Sequence, residues 1–187
     1  MAIIGIQEVY NMANERESAL SLDVKFKVKD VLRYNMSVAG KNIVNLIVLG
    51  IGALTLAFYF FKMFTTTERL DVFISRNMVL LVVPILIFVM IPWRVWKITL
   101  TQMQTPAFSG GVNYTFSNAG IILDIGSASE EISWDAFVSI VETKHDFRLY
   151  VNKISAQIIP KHNMNNEEMM MLKNIIEEVA ADRCQLR

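Results

Sequence analysis

Few residues of this chain have the type and spacing that catalysis or metal binding requires. His145 and His162 are its two histidines and could form a metal-binding pair. No Cys, Asp or Glu accompanies either histidine at the spacing of a metal site, and each lies next to a predicted turn. We therefore interpret both as solvated loop residues and predict no metal site.

A hydrolase site is the second chemistry to consider, because Ser127 and Ser129 lie beside Glu130 and Glu131. The segment lacks the Gly-x-Ser-x-Gly turn that exposes a nucleophilic serine, and no ordered His and Asp partners accompany it. Cys184 is the single cysteine, and we interpret it as a free thiol in a reducing compartment. The sequence thus predicts no catalytic residue and no cofactor.

Composition indicates where the chain resides. Hydrophobic residues make up 53% and charged residues 19% of the 187 positions, which is more apolar than an average soluble domain. Eighteen basic and eighteen acidic side chains cancel, so the net charge gives no support for a nucleic-acid partner. Part of the chain is therefore expected to lie in a lipid bilayer.

Two charge-free runs predict membrane-spanning helices. Residues 42–61 would span about 30 Å as a helix, which is the thickness of the hydrocarbon core. Residues 77–93 would span about 25 Å, and apolar residues behind Arg76 extend this run. Residues 62–76 between the runs are too few for a domain, so we expect an antiparallel hairpin with a kink at Pro84.

Residues in and around these runs predict how the hairpin packs and lies in the membrane. Trp93 and Trp96, with Arg94 and Lys97, form the aromatic and basic mixture that settles at the depth of the lipid headgroups. Lys and Arg number seven on the flanks that carry the chain ends and three in the connecting loop, which predicts that both termini are cytoplasmic. The Gly-x-Gly at residues 50–52 is a candidate helix-pairing contact.

The N-terminal region contains a predicted strand. Residues 20–29 alternate between apolar and polar side chains, and their apolar face needs a covering surface. We predict that they add to the C-terminal sheet, because the hairpin brings both ends of the chain together. Asp30 is a candidate N-cap for a helix that runs towards the first span with a bend near Gly40. Residues 1–10 lack the basic region of a cleavable signal peptide.

Short apolar runs separated by turn residues follow Lys97. They predict an antiparallel sheet with strands at residues 112–116, 121–125, 131–134, 137–141, 147–151 and 156–159. From Asn165 the apolar spacing changes to that of a helix, and Asn165 with Glu168 forms a capping-box pattern. One amphipathic helix is expected to close the chain.

A family resemblance rests on motifs spread along this pattern. Two membrane spans are followed by Tyr114-Thr-Phe116, Gly120-Ile121, Ile132-Ser-Trp134, Leu149-Tyr150 and Ile158-Ile-Pro160-Lys161. The arrangement resembles the bacterial YcxB-like family over residues 20–179. The resemblance implies a pleckstrin-homology-like module, a bent antiparallel sheet capped by the C-terminal helix, and it implies no settled biochemical activity.

The predicted fold class is an α+β membrane protein: a two-helix transmembrane hairpin plus a small antiparallel-sheet pleckstrin-homology-like domain capped by a C-terminal helix. Residues 1–42 would form a strand and an amphipathic helix that lead to the membrane, and residues 43–97 the hairpin. Residues 98–187 would form the cytoplasmic YcxB-like domain. This last segment has eleven acidic and seven basic residues, so its net charge is −4.

Particular side chains of the predicted sheet receive roles. Aromatic residues and proline at strand positions usually fill a core, so we assign structural roles to Phe26, Trp134, Tyr150 and Pro160. The basic residues of this region are scattered among acids, which does not favour headgroup binding by the sheet domain. Arg148 and Lys161 are the candidate contacts for a partner.

The sequence favours a non-enzymatic protein of the bacterial inner membrane whose cytoplasmic domain binds a protein or peptide partner. An immunity-type protein of the inner membrane that neutralises a toxin is the alternative. A membrane-associated enzyme is a third hypothesis, which the missing catalytic constellation opposes. The predicted partners are the lipid bilayer and a protein, no nucleic-acid partner is predicted, and a homo-oligomer stays open.

Overall fold

The chain is divided into two compact units. The computed structural model describes residues 19–186. Residues 31–102 form the helical unit, and residues 19–30 together with 103–186 form the sheet unit. The predicted absence of a signal peptide falls on residues 1–10, which lie outside the described residues.

Three helices make up the helical unit, and the first of them begins in the last residues of the sheet unit. They are α1 (Val28–Lys41), α2 (Ile43–Thr65) and α3 (Leu70–Gln102). The break between α1 and α2 lies at Asn42, two residues beyond the bend predicted at Gly40. The Asn42 side chain accepts hydrogen bonds from the backbone N–H groups of Val44 and Asn45, at 2.9 and 3.3 Å, and so begins α2.

Helices α2 and α3 form an antiparallel hairpin with close packing at one glycine. A Cβ atom on Gly52 would lie 3.4 Å from Ile87 Cγ2, whereas one on Gly50 would meet nothing within 4 Å. Further along, the rings of Tyr59 and Phe73 have centroids 5.4 Å apart. The predicted helix-pairing role is therefore confirmed for Gly52, as a contact within the chain, and Gly50 takes no part in it.

Helix α3 leaves helical dihedral angles at Asn77 (φ −110°, ψ 15°), not at Pro84 where the kink was predicted. The Asn77 side chain donates a hydrogen bond of 2.9 Å to Phe73 O. It also accepts one of 2.8 Å from Lys62 Nζ on α2. A short amide that bonds the backbone four residues earlier competes with the helical ladder, which accounts for the kink here.

The sheet unit consists of eight strands and two helices. The strands are β1 (Leu20–Val24), β2 (Val112–Phe116), β3 (Ile121–Ile125), β4 (Ala128–Ile132), β5 (Ser139–Glu142), β6 (Asp146–Tyr150), β7 (Ala156–Pro160) and β8 (Cys184–Gln185). The helices are α4 (Pro106–Ser109) and α5 (Asn166–Ala180). One sheet has the order β1-β2-β3-β4 and the other β7-β6-β5-β8. All neighbours are antiparallel except β5 and β8.

Strand β1 pairs antiparallel with β2 over its whole length, so its predicted place in the C-terminal sheet is confirmed. The strand is shorter than predicted, because it ends at Val24 and α1 begins at Val28. Asp30 is therefore a residue of the first helical turn and not the N-cap. Its carboxylate accepts a 3.0 Å hydrogen bond from the backbone N–H of Lys27, which satisfies one donor at the start of the helix.

The predicted strands around Trp134 were misplaced. Gly126, with φ 62°, occupies the first position of a two-residue loop between β3 and β4, so β4 starts at Ala128 and ends at Ile132. Trp134 then begins a 3-10 turn instead of ending a strand. The predicted strand at residues 137–141 is observed as β5, which starts two residues later.

One hydrophobic core joins both sheets to α5. Phe116, Phe147 and Leu172 are each fully buried in it. The predicted capping box is confirmed, because the Asn165 side chain accepts from Glu168 N while the Glu168 carboxylate accepts from Asn165 N, both at 2.8 Å. The α+β class with two long apolar helices and antiparallel sheets is thus confirmed.

Candidate functional site

The two histidines lie in different surroundings. His145 is exposed in the turn between β5 and β6, as predicted. His162 is also exposed in a turn, as predicted, but its Nε2 lies 2.8 Å from Asp30 Oδ2, and Asp30 is 3% exposed. This contact ties the segment after β1 to the turn after β7. Among residues 19–186, no group of three or more His, Cys, Asp or Glu side chains is placed to hold a metal ion.

Lys161, one of the two predicted partner contacts, belongs to an internal ion-pair cluster. Glu142 is 3% exposed and accepts hydrogen bonds from Lys161 and, at 2.9 Å, from Lys173 on α5. The Lys161 ammonium also lies over the ring of Phe147, 5.1 Å from its centroid. The positive charge of Lys161 is therefore directed into the sheet unit.

Arg148, the other predicted partner contact, is 7% exposed. Its Nε donates a 2.7 Å hydrogen bond to Asp146 Oδ1, and Asp146 also accepts one of 2.8 Å from the Thr143 hydroxyl. Burial lowers the pKa of Arg148, but hydrogen bonds to Asp146 and Tyr150 outweigh it, so the net pKa is raised. A buried guanidinium needs its carboxylate partner, and this requirement directs Arg148 inwards.

The four residues predicted to be structural lie in or beside the core. Trp134 is 4% exposed, and its Nε1 donates a 2.8 Å hydrogen bond to Ser117 O. Tyr150 and Pro160 are buried at the ends of β6 and β7. Phe26 lies beyond the end of β1, is half-buried, and makes an edge contact of 4.8 Å with the ring of Phe108.

The helical unit exposes large apolar side chains along both long helices. Leu54 and Phe64 on α2 are 73% and 81% exposed, and Val79 on α3 is 71% exposed. Exposure of so many large apolar side chains along two helices is unusual on a soluble monomer. By length and composition, Ile43–Thr65 and Leu70–Gln102 are two candidate membrane spans.

The two ends of this apolar surface differ in chemistry. At the connecting turn, Arg76 and Glu68 form an exposed ion pair of 2.8 Å. At the other end, the rings of Trp93 and Trp96 are 60% and 39% exposed. Amphipathic rings and charged groups at both ends of an apolar surface are typical of membrane boundaries.

Strand β4 forms an exposed acidic edge of the sheet unit. Ser129, Glu130 and Glu131 are all exposed, although strand neighbours normally point to opposite faces. On β3, the face turned away from the core exposes Ile122 (38%), which is paired with Glu131 of β4. Among residues 19–186, β4 pairs only with β3, so its outer backbone groups face away from the sheet.

Comparison with known proteins gives one family match, which lies in the sheet unit. The model of the family described as YcxB-like protein matches residues 116–170. Residues 116–170 are therefore similar to the YcxB-like family. The predicted resemblance is confirmed over this segment, whereas β1, α1 and the two apolar helices lie outside the match. Neither the curated proteins nor the solved structures contained a significant match.

The YcxB-like segment contains the ion-pair cluster of Glu142 and Lys161, together with Trp134 and Arg148. His162 also lies in this segment, but Asp30, the acid that it contacts, lies outside the matched residues. Sequence reasoning missed this contact because 132 positions separate the two residues. The local sign of a functional role for Asp30 was an acid at the start of an amphipathic helix, which we interpreted as an N-cap.

Proposed function

We propose that this chain is a non-enzymatic membrane protein that anchors a YcxB-like domain at the cytoplasmic face of a bacterial inner membrane, where the domain binds a protein or peptide partner. The exposed apolar surface of α2 and α3 carries the first part of the proposal. Transfer of apolar surface out of water is favourable by about 25 cal/mol per Å², so a bilayer is the environment that stabilises these helices.

The length of the helices supports a transmembrane placement. Helix α2 has 23 residues and would be about 35 Å long, enough to cross the hydrocarbon core. The exposed ring of Trp93 and the ion pair of Arg76 with Glu68 lie at opposite ends of the apolar surface. Seven basic residues on the outer flanks against three in the loop support cytoplasmic termini.

Membrane extraction and reporter fusions test this placement. We expect the full chain to stay in the membrane pellet after sodium carbonate washing and to be released by detergent. Reporters fused before Met1 and after Arg187 should both give the cytoplasmic signal. Release by carbonate would refute the anchoring, and opposite signals at the two ends would refute the hairpin topology.

We infer a pleckstrin-homology-like arrangement for the sheet unit. The order of the elements supports this inference. Four antiparallel strands are followed by three antiparallel strands and a helix, and these elements share one core. The two-residue β8 is an addition to that order. Folds of this kind bind partners in several ways, so the binding surface has to be argued from the exposed side chains themselves.

The β4 edge is the surface that best supports a partner. Glu130 and Glu131 are exposed, the segment 98–187 has a net charge of −4, and edge backbone groups can pair with an added strand. These features favour a basic, extended peptide. Arg148 and Lys161, which point inwards, have no role in this contact.

Charge reversal on the full chain tests the partner proposal. Cross-linking in native membranes should capture a partner with the unmodified protein and lose it with the double variant Glu130→Lys, Glu131→Lys. The double variant Glu177→Lys, Glu178→Lys changes the charge equally at exposed positions of α5 and should keep the partner. Equal capture by both variants would refute the β4 edge as the binding surface.

A further inference from the structure

A groove opens within the helical unit between α1, the start of α2 and the end of α3. Its volume is about 480 Å³. The apolar lining includes Val48, Met90 and Ile91, which lie within the two candidate membrane spans. The polar lining includes Asn42 and Arg94, which lie at the end of the hairpin that carries the exposed tryptophans. The groove thus has its polar residues, mixed with apolar ones, at the end that carries the exposed tryptophans, and only apolar residues at the other end.

Arg94 is the one ionisable residue among the lining side chains. Among residues 19–186, its guanidinium makes no hydrogen bond or ion pair. Asn45, which also lines the groove, donates its side-chain N–H to Ala39 O at 3.0 Å. Asn35 donates to Thr99 Oγ1, at 3.0 Å, in the same unit. The neighbouring amides are therefore engaged, while a positive charge with five donors is available at the mouth of the groove.

The distances along the helices suit an amphipathic occupant. Met90 precedes Arg94 by one helical turn, which is about 6 Å along the axis. Val48 lies about 8 Å inside the start of α2. If Arg94 binds the charged group of a ligand, the part of the ligand next to that group would therefore contact the apolar lining of the groove. A free anion would leave these walls uncovered, whereas a lipid would cover them with an acyl chain.

We propose that this groove binds one anionic phospholipid, whose phosphate group contacts Arg94 and whose acyl chain follows Val48, Met90 and Ile91. The inference rests on the proposed membrane placement of α2 and α3. Guanidinium recognises phosphate oxygens through two parallel hydrogen bonds, and this contact is strengthened where water is scarce. The positive net charge of the hairpin segment, +3 over residues 43–97, adds attraction for an anion.

Native mass spectrometry of the detergent-solubilised full chain tests the site with phosphatidylglycerol and phosphatidylcholine as probes. The unmodified protein should retain one phosphatidylglycerol in clear preference to phosphatidylcholine. Arg94→Gln should lower this retention about tenfold. Lys97→Gln removes the same charge at the same end of α3, outside the groove lining, and should leave retention unchanged.

A second variant separates the groove from simple charge attraction. Val48→Trp keeps Arg94 but fills the apolar part, so it should also lose the lipid. Retention by Val48→Trp, or equal loss in Lys97→Gln and Arg94→Gln, would overturn the site. Competition by glycerol phosphate, which lacks acyl chains, would overturn the lipid assignment. Carbonate extraction of the same proteins distinguishes the failures: release refutes membrane anchoring itself, whereas pelleted protein without lipid preference refutes only the site.

Discussion

Truncation of Leu22 to alanine tests whether β1 is part of the sheet core. Leu22 is 2% exposed and faces the core shared by both sheets. Removal of its three terminal carbons costs roughly 2.4 kcal/mol in transfer free energy, at about 0.8 kcal/mol per carbon group. The cavity left behind raises the loss to about 3 kcal/mol. Such a loss increases the population of the opened sheet unit roughly 100-fold.

Hydrogen exchange measured by mass spectrometry on the full chain in detergent would report this opening. Peptides that cover β2 should exchange roughly 100-fold faster in Leu22→Ala, if they exchange through opening of the unit. Asp23→Ala is the matched control, because the Asp23 side chain is 62% exposed and forms its ion pair with the exposed Lys25. It should change stability by less than about 0.5 kcal/mol. Equal exchange in the two variants would refute the packing of β1.

Three further substitutions test the internal contacts of each unit. Glu142→Ala leaves two ammonium groups without their carboxylate and should lower the unfolding free energy of the sheet unit by about 2 kcal/mol in chemical denaturation; an unchanged midpoint would contradict this. Gly52→Leu should lower the thermal stability of the hairpin, as followed by circular dichroism, by about 1–3 kcal/mol, while Gly50→Leu should not. Trp134→Phe removes the donor to Ser117 O and should cost about 1 kcal/mol in the same denaturation assay, whereas no loss would show that water replaces it.

Local patterns were sufficient for much of the fold. Strands β2 and β3 lie at the predicted residues, because alternation and flanking turn residues are properties of five adjacent positions. The start of α5 was predictable because its capping box is formed by residues three apart. The two apolar helices were predictable because twenty uncharged residues leave few alternatives to a helix in lipid.

Other features depend on where the chain returns. The alternation at residues 20–29 predicted one strand, yet the strand ends at Val24, because its partner strand β2 begins at Val112, which pairs with Val24. Helix α3 leaves helical dihedral angles at Asn77 instead of Pro84, and the Asn77 amide that bonds Phe73 O is also contacted by Lys62 from the neighbouring helix. Neither the start of β2 nor the position of Lys62 can be inferred from the residues immediately around Val24 and Asn77.

The candidate site shows the same division. The sequence by itself determined that the chain has two apolar runs, an acidic C-terminal segment and a YcxB-like motif pattern, because each is a property of composition or short spacing. Only the tertiary structure decided that Lys161 points into an ion pair while Arg94 faces a groove. The physical reason is that a charge is buried or exposed according to which distant strand or helix supplies its partner, and 19 positions separate Lys161 from Glu142.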